Sequence, residues 1–270
     1  MNLQPCIVIT GAAGGIGGAV VQNLLEHPDF QDHQLIALDR NWTDTKQSHL
    51  ASDRILTMTA DVSQAEEIDL LFEELAQSYT VQGLVNAAGA LHYGNALECT
   101  PETLDQLLNV NAKGVFNVCN AAARLMLTQH KSSPVSTHKN SAQKNQYSIV
   151  TVASNAATGP RALFSAYGAS KAFASHYTRS LGLELGRYGI RCNVVCPGTT
   201  RTAMLAPIWQ GKDLTEATIS GSPENFRNGI PLQKIAEPAE IASTIVFLLS
   251  NAASHLTLAE LTVDGGATQR

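Results

Sequence analysis

No apolar run in this 270-residue sequence is long enough to cross a membrane. The longest lies near Ile241–Leu249, well short of the roughly 18 residues that a spanning helix needs. The start, Met1-Asn-Leu-Gln-Pro5, has no basic segment, and the apolar Cys6–Ile9 run is too short for a secretory leader. Positive charge is scarce as well. Lys and Arg number 18 against 23 Asp and Glu, a net charge of −5, which argues against a nucleic-acid or anionic-membrane partner. Cysteine is sparse: Cys6, Cys99, Cys119, Cys192 and Cys196 are odd in number and scattered. Cys192 and Cys196 flank one predicted strand, but no second ligand pair accompanies them. Reduced thiols in a cytoplasmic protein, with no metal, are the expectation. No linker-like stretch breaks the chain, so its 44% hydrophobic residues are expected to close around one large core.

What the sequence does contain is concentrated in two places. The first is Ser154–Lys171, S-N-A-A-T-G-P-R-A-L-F-S-A-Y-G-A-S-K. Tyr167 and Lys171 are four residues apart, which on a helix puts both side chains on one face. A free phenol titrates near ~10. A cation beside it is expected to lower that by roughly 1–3 units, bringing proton transfer within reach of neutral pH. Ser154, at the end of an apolar run, can hydrogen-bond the oxygen whose proton Tyr167 handles. A Tyr-x-x-x-Lys pair alone occurs by chance on many helices, so its meaning depends on the other end of the chain.

That second place opens with a buried strand, Cys6–Thr10, followed at once by Thr10-Gly-Ala-Ala-Gly-Gly-Ile-Gly17 and a helix over about Ile16–Glu26. Strand, glycine-rich turn and helix in this order point to a dinucleotide site. Gly11, Gly15 and Gly17 permit the turn and a close backbone approach to a pyrophosphate at the helix start. A second strand, Gln34–Asp39, ends on a carboxylate 22 residues past Gly17. Asp39 there accepts hydrogen bonds from a ribose 2′-hydroxyl and repels a 2′-phosphate, selecting NAD over NADP. Arg40 could pair with that phosphate, but the carboxylate at the strand tip is expected to dominate.

Further along, Ile55–Val62 reads as a third strand ending in Asp61-Val62, and Gln64–Tyr79 as an amphipathic helix. Val81–Val85 is a fourth strand running into Asn86-Ala87-Ala88-Gly89, whose small residues would let backbone pass under a cofactor ring. Taken alone, that tetrapeptide could simply be a turn. Pro101–Leu127 reads as helical, with Asn111 in its middle as poor helix material. Lys131–Gln146 is polar and aperiodic, a solvated insertion. Strands at Ser148–Val152, Arg191–Val195 and Leu261–Asp264 and helices at Ala166–Leu185 and Pro238–Leu249 complete the pattern. Residues of about 199–228, with Met204, Ile208, Trp209 and Phe226, lack periodicity and read as a lid that shields a small ring from water.

Thr10-Gly-x-x-x-Gly-Ile-Gly17, Asn86-Ala-Ala-Gly89, Asn111, Ser154, Tyr167-x-x-x-Lys171, Pro197-Gly198 and Val263-Asp-Gly-Gly266, in this order, resemble the short-chain dehydrogenase/reductase family over essentially the whole chain. The resemblance implies an α/β fold: a single Rossmann domain over 1–270, with a doubly wound parallel sheet of roughly seven strands and helices on both faces. It implies a catalytic tetrad of Asn111, Ser154, Tyr167 and Lys171, with Asn111 holding through its helix backbone a water that links Lys171 to solvent. NAD would be held by Gly11, Gly15, Ile16, Gly17, Asp39, Asp61, Val62, Asn86, Ala87 and Gly89. Tyr167, Lys171, Pro197, Gly198, Thr200 and Thr202 would complete that site. A cytoplasmic homotetramer is implied too.

Within the family, Pro160-Arg161, Gly229-Ile-Pro-Leu232 and Ser254-His-Leu-Thr-Leu258 resemble the branch that oxidises a carboxylated ring dihydrodiol in catechol-siderophore biosynthesis. A pocket of Ser154, Arg161, His92, Met204 and Trp209 would then receive the substrate. Arg161 is the first candidate for the carboxylate, since a guanidinium can grip it with two parallel hydrogen bonds. His92, where similar enzymes tend to carry arginine, is the second. A reductase of 3-oxoacyl thioesters or a sugar-alcohol dehydrogenase is the alternative within the family; the former usually wants NADPH, against which Asp39 argues. A nucleotide sensor without chemistry would have no need of the tetrad.

Overall fold

The computed structural model describes residues 3–43, 50, 52–132 and 147–268. Seven strands form one parallel sheet: β1 (Gln4–Thr10), β2 (Gln34–Asp39), β3 (Ile55–Thr59), β4 (Tyr79–Asn86), β5 (Tyr147–Val152), β6 (Ile190–Pro197) and β7 (Glu260–Val263). Their spatial order is β3-β2-β1-β4-β5-β6-β7. The main helices are α1 (Gly15–Glu26), α2 (Ala65–Ser78), α3 (Pro101–Leu107), α4 (Val115–Ser132), α5 (Ser165–Leu185) and α6 (Pro238–Leu249).

The strands are apolar almost throughout because both faces of the sheet are covered. Alternation along β1 divides its side chains between two cores. Cys6 and Val8 pack with Ile68, Leu71 and Phe72 of α2 and with Val118 and Met126 of α4. Ile7 and Ile9 pack on the opposite face with Val20 and Leu24 of α1 and with Ile241 and Ile245 of α6. Fully burying each such side chain contributes about 1.5–3 kcal/mol, which makes these two layers the main stabilising term.

The strand order reverses between β1 and β4, and open sheets of this kind bind ligands in the crevice beyond the carboxyl ends at that point. Thr10 and Asn86 are register partners there. Thr10 Oγ1 also accepts the backbone N–H groups of Ala87 and Ala88, both at 3.2 Å, which fixes the rim of the crevice.

Two expectations need adjusting, and a third cannot be placed. The third strand stops at Thr59 rather than Val62, since Ala60–Val62 peel away over the crevice, held by Ala60 N–H donating to Asp39 O at 3.2 Å. The helix expected over Pro101–Leu127 is interrupted by a wide π-helical turn, Leu108–Gly114, and α4 then continues to Ser132. Such turns accommodate residues that an ordinary helix would hold at the wrong angle, and Asn111 sits inside this one. The polar insertion at Lys131–Gln146 lies, beyond the end of α4, outside the described residues. Among the described residues, no helix is long and apolar enough to cross a membrane.

Candidate active site

The glycine turn is built for close approach. Gly11 has φ +67, and a Cβ there would lie 2.6 Å from Ala88 N, in the backbone of the neighbouring turn. A Cβ on Gly15 would meet Thr202 Cγ2 at 2.6 Å, and one on Gly17 would strike the carbonyl oxygen of Gly11. The start of α1 has no side-chain cap, so its open N–H groups and dipole face the crevice and favour an anion. Asp39 ties this turn to the tip of β2: its Oδ2 accepts from Ala13 N at 3.0 Å and its Oδ1 from Asn41 N at 3.1 Å. Gly11, Gly15, Ile16, Gly17, Asp39, Asp61 and Val62 all line one cleft, and Arg40 lines it too.

A second cavity continues from the first; Ile16, Ala87, Gly89, Thr202 and Met204 line both. It is bounded by Ser154, Arg161, Tyr167, Lys171, Pro197, Gly198, Thr200 and Trp209. Ser154 follows β5 and caps a single helical turn, Asn155–Thr158, its Oγ accepting from Ala156 N at 3.1 Å. Its side chain also hydrogen-bonds the Tyr167 phenol. Tyr167 and Lys171 lie one turn apart on α5 and both face this cavity.

Lys171 Nζ donates to Val152 O at 2.9 Å and lies against Gly89, where a Cβ would come within 3.1 Å of the ammonium. Asn111, fully buried, accepts from Ala90 N and donates to Ala90 O and to Ser170 Oγ, each at 2.9 Å. The π-helical turn thus pins the segment after Gly89 beneath the lysine.

The electrostatics differ from the sequence-based expectation. Burial pushes the Tyr167 phenol above its ordinary value, and the Ser154 hydrogen bond and the Arg161 charge offset this only in part. Burial also pushes Lys171 down, from 10.5 to about 8. Loss of solvent around each charged form outweighs the lowering expected from a neighbouring cation.

Arg161 lines the cavity beside Tyr167, its guanidinium carbon 5.8 Å from the Phe164 ring centre. Its Nη1 donates to Asn155 Oδ1 at 2.5 Å, while Asn155 Nδ2 donates to Asp264 Oδ2 at 3.2 Å. Asp264 is itself held by Gly266 N at 2.9 Å and by Thr268 N at 3.0 Å and Oγ1 at 2.6 Å. The Val263-Asp-Gly-Gly266 motif therefore braces the arginine from behind.

Two candidates stand elsewhere. The Asn86 side chain turns into the core, donating to Cys119 Sγ at 3.1 Å and Thr151 Oγ1 at 3.2 Å, so it positions the strand end and does not line the cleft. His92 does not line the substrate cavity: its loop folds back, and a Cβ on Gly94 would lie 3.1 Å from a buried His92 Nε2 that has no hydrogen-bond partner among the described residues. In the other direction, Leu91, Asn155, Phe164, Leu205, Thr218 and Arg227 line the cavity without having been singled out from the sequence. Only Asn155, adjoining Ser154, carried a positional signal.

Residues 11–268 match the family described as enoyl-(acyl carrier protein) reductase. The 2,3-dihydro-2,3-dihydroxybenzoate dehydrogenase of Bacillus subtilis (strain 168) is 38% identical, over 96% of this chain and 94% of its own length. The Escherichia coli (strain K12) protein of that name is 39% identical, over 96% of this chain and 95% of its own. Among solved structures, 4-hydroxyisoleucine dehydrogenase complexed with NADH superposes with a TM-score of 0.81 at 26% identity, covering 98% of this chain and 99% of that one. The glycine cradle that any Cβ would fill, the uncapped start of α1 and the carboxylate at the tip of β2 fit a nicotinamide dinucleotide. With that cleft opening onto Ser154, Tyr167 and Lys171, and with the family matched over residues 11–268, the chain belongs to the short-chain dehydrogenase/reductase family.

Proposed function

We propose that this chain oxidises 2,3-dihydro-2,3-dihydroxybenzoate to 2,3-dihydroxybenzoate, with NAD as the hydride acceptor. The observation that carries this reading is the grouping of Ser154, Tyr167, Lys171 and Arg161 around one cavity that continues from the glycine cleft. When bound, the nicotinamide supplies an acceptor for the hydride that leaves a carbinol carbon. Tyr167 takes the proton of the same carbinol once its phenol is ionised, a form that burial disfavours and that the Ser154 hydrogen bond and the Arg161 charge favour, and Ser154 holds the oxygen that passes from hydroxyl to ketone. Lys171 steadies the phenolate with its charge, and Asn111 positions the backbone on which that ammonium rests. The ring ketone tautomerises to a catechol, so aromatisation makes the net two-electron oxidation strongly downhill.

Asp39 supports NAD over NADP, since a carboxylate at the tip of β2 accepts from ribose hydroxyls and repels a phosphate. Arg161 would hold the ring carboxylate, with Met204 and Trp209 as apolar walls. We further read the protein as a cytoplasmic homotetramer. Phe116 and Phe173 are 45% and 44% exposed on α4 and α5. Each packs against Tyr177, with ring centres 5.4 and 5.8 Å apart. That apolar surface suits a self-complementary interface.

Three reactions run side by side test the activity: NAD with the dihydrodiol, NAD with a sugar alcohol, and NADPH with a 3-oxoacyl thioester. The first should give NADH absorbance and catechol fluorescence together. Turnover of the thioester with NADPH and none of the dihydrodiol would replace this reading with the reductase one.

A further inference from the structure

Arg227 faces the substrate cavity alongside Ser154, Arg161 and Tyr167. It reaches there by a tight hairpin. Ser222 N donates to Arg227 O at 2.9 Å and Arg227 N to Ser222 O at 3.0 Å. Phe226 adopts φ +52, and Asn225 Nδ2 donates to Ser222 Oγ at 2.7 Å. The base is latched by Ile230 N donating to Ile219 O at 2.7 Å. Gly221, at φ +91, leaves no room for a Cβ, which would lie 2.6 Å from Arg227 O. Consecutive side chains therefore point opposite ways: Phe226 is 89% exposed, while Arg227 is half-buried and turned inward.

The cavity thus holds two guanidinium groups: burial lowers the pKa of Arg161, and the charge of Arg227 lowers it further. Among the described residues, neither arginine forms an ion pair. Asn155, the hydrogen-bond partner of Arg161, is neutral. Asp264, the one carboxylate whose charge favours the Arg161 cation, is already held by Asn155, Gly266 and Thr268. Glu224, the carboxylate that feels the Arg227 charge, is exposed and already held by Ser222 Oγ, so two like charges aimed into a cavity walled by Phe164, Leu205, Ile208 and Trp209 favour an anion that joins them there.

We propose that Arg227 is a specificity-determining residue that, with Arg161, grips the substrate's carboxylate from two sides. This rests on the dihydrodiol reading above and deepens it. Arg161 stands on the rigid loop braced by Asn155, and Arg227 comes from the lid segment, so a carboxylate bridging the two draws the lid over the ring. A diol without the carboxylate leaves the repulsion in place and binds poorly.

The test compares the wild-type enzyme with Arg227→Met and Arg227→Lys on the dihydrodiol and on the same diol lacking its carboxylate. Arg227→Met should raise KM for the carboxylated diol by about tenfold or more, leave the KM for NAD within about twofold, and leave kcat/KM on the uncharged diol unchanged or improved. Arg227→Lys should recover part of the loss, since it restores the charge without the planar fork. An unchanged KM for the carboxylated diol in Arg227→Met overturns the proposal while leaving the dihydrodiol activity intact. Wild-type enzyme that turns over neither diol defeats the substrate reading instead. In that case calorimetric binding of 2,3-dihydroxybenzoate still decides the two-arginine grip: about tenfold weaker binding to Arg227→Met supports it, and equal affinity ends it.

Discussion

Lys171 Nζ donates to the carbonyl oxygen of Val152 at 2.9 Å, so the lysine is anchored to the strand that delivers Ser154, two residues further on. Both groups are buried, and the surroundings hold the Lys171 pKa down at about 8. Below pH 8 the amine is protonated in both folded and unfolded chains, and the folded one carries the full cost of a desolvated charge. Between about 8 and 10.5 the folded protein releases its proton first, so this contribution to stability rises with pH. Urea unfolding of wild type and Lys171→Met at pH 7 and 9.5 should show the difference move in favour of wild type by about 1–2 kcal/mol at the higher pH. A difference independent of pH would contradict this. Lys171→Met should also lose most turnover.

Asp39 holds Ala13 N–H with one oxygen and Asn41 N–H with the other, leaving its remaining lone pairs for a ribose. Asp39→Ala should narrow the ratio of kcat/KM for NAD over NADP by about tenfold or more, because Arg40 stays in the same cleft. An unchanged ratio would remove the selectivity role from this residue.

Asn111 makes three side-chain hydrogen bonds in a fully buried position. Asn111→Ala leaves the half-buried N–H and carbonyl of Ala90 without these partners, at up to roughly 1 kcal/mol for each group, less than for fully buried ones because water can reach them. Denaturant midpoints should fall accordingly. Turnover should fall more than the affinity for NAD, since what shifts is the backbone under Lys171. A variant of native stability and activity would reduce Asn111 to a bystander.

Asn155 stands between Arg161 and Asp264, accepting from the first and donating to the second. Asn155→Leu and Arg161→Met should both raise KM for the dihydrodiol far more than KM for NAD. The direct contact should cost more than the brace. Equal, modest changes in both constants would point to general loosening of the loop instead.

The readable parts of this molecule are those whose geometry is local in sequence. The strand, glycine turn and helix of residues 6–26 follow from the order of residue types, and the spacing of Tyr167 and Lys171 follows from one turn of α5. The less readable parts depend on contacts between distant segments. Asn86 faces inward because β4 pairs with β5 and brings Thr151 within 3.2 Å of it. His92 leaves the cavity because its loop folds against Gly94. Arg227 enters it because the hairpin closes on Ile219, eight residues upstream, across an aperiodic stretch. The upward shift of Tyr167 belongs to the same class: spacing gives its neighbour, and only the surrounding burial gives the direction.

Proton transfer from the carbinol depends on Tyr167 as the acceptor, and a Tyr167→Phe variant isolates that step. The substitution removes one oxygen from a buried ring that also packs near Phe164, with ring centres 6.0 Å apart, so the fold should survive. NAD titration and single-turnover NADH formation should be measured on the same preparation. The expected result is NAD affinity within about twofold of wild type, with the rate of NADH formation from the dihydrodiol lower by about a thousandfold or more. A rate within tenfold of wild type at unchanged affinity would remove Tyr167 from the proton transfer.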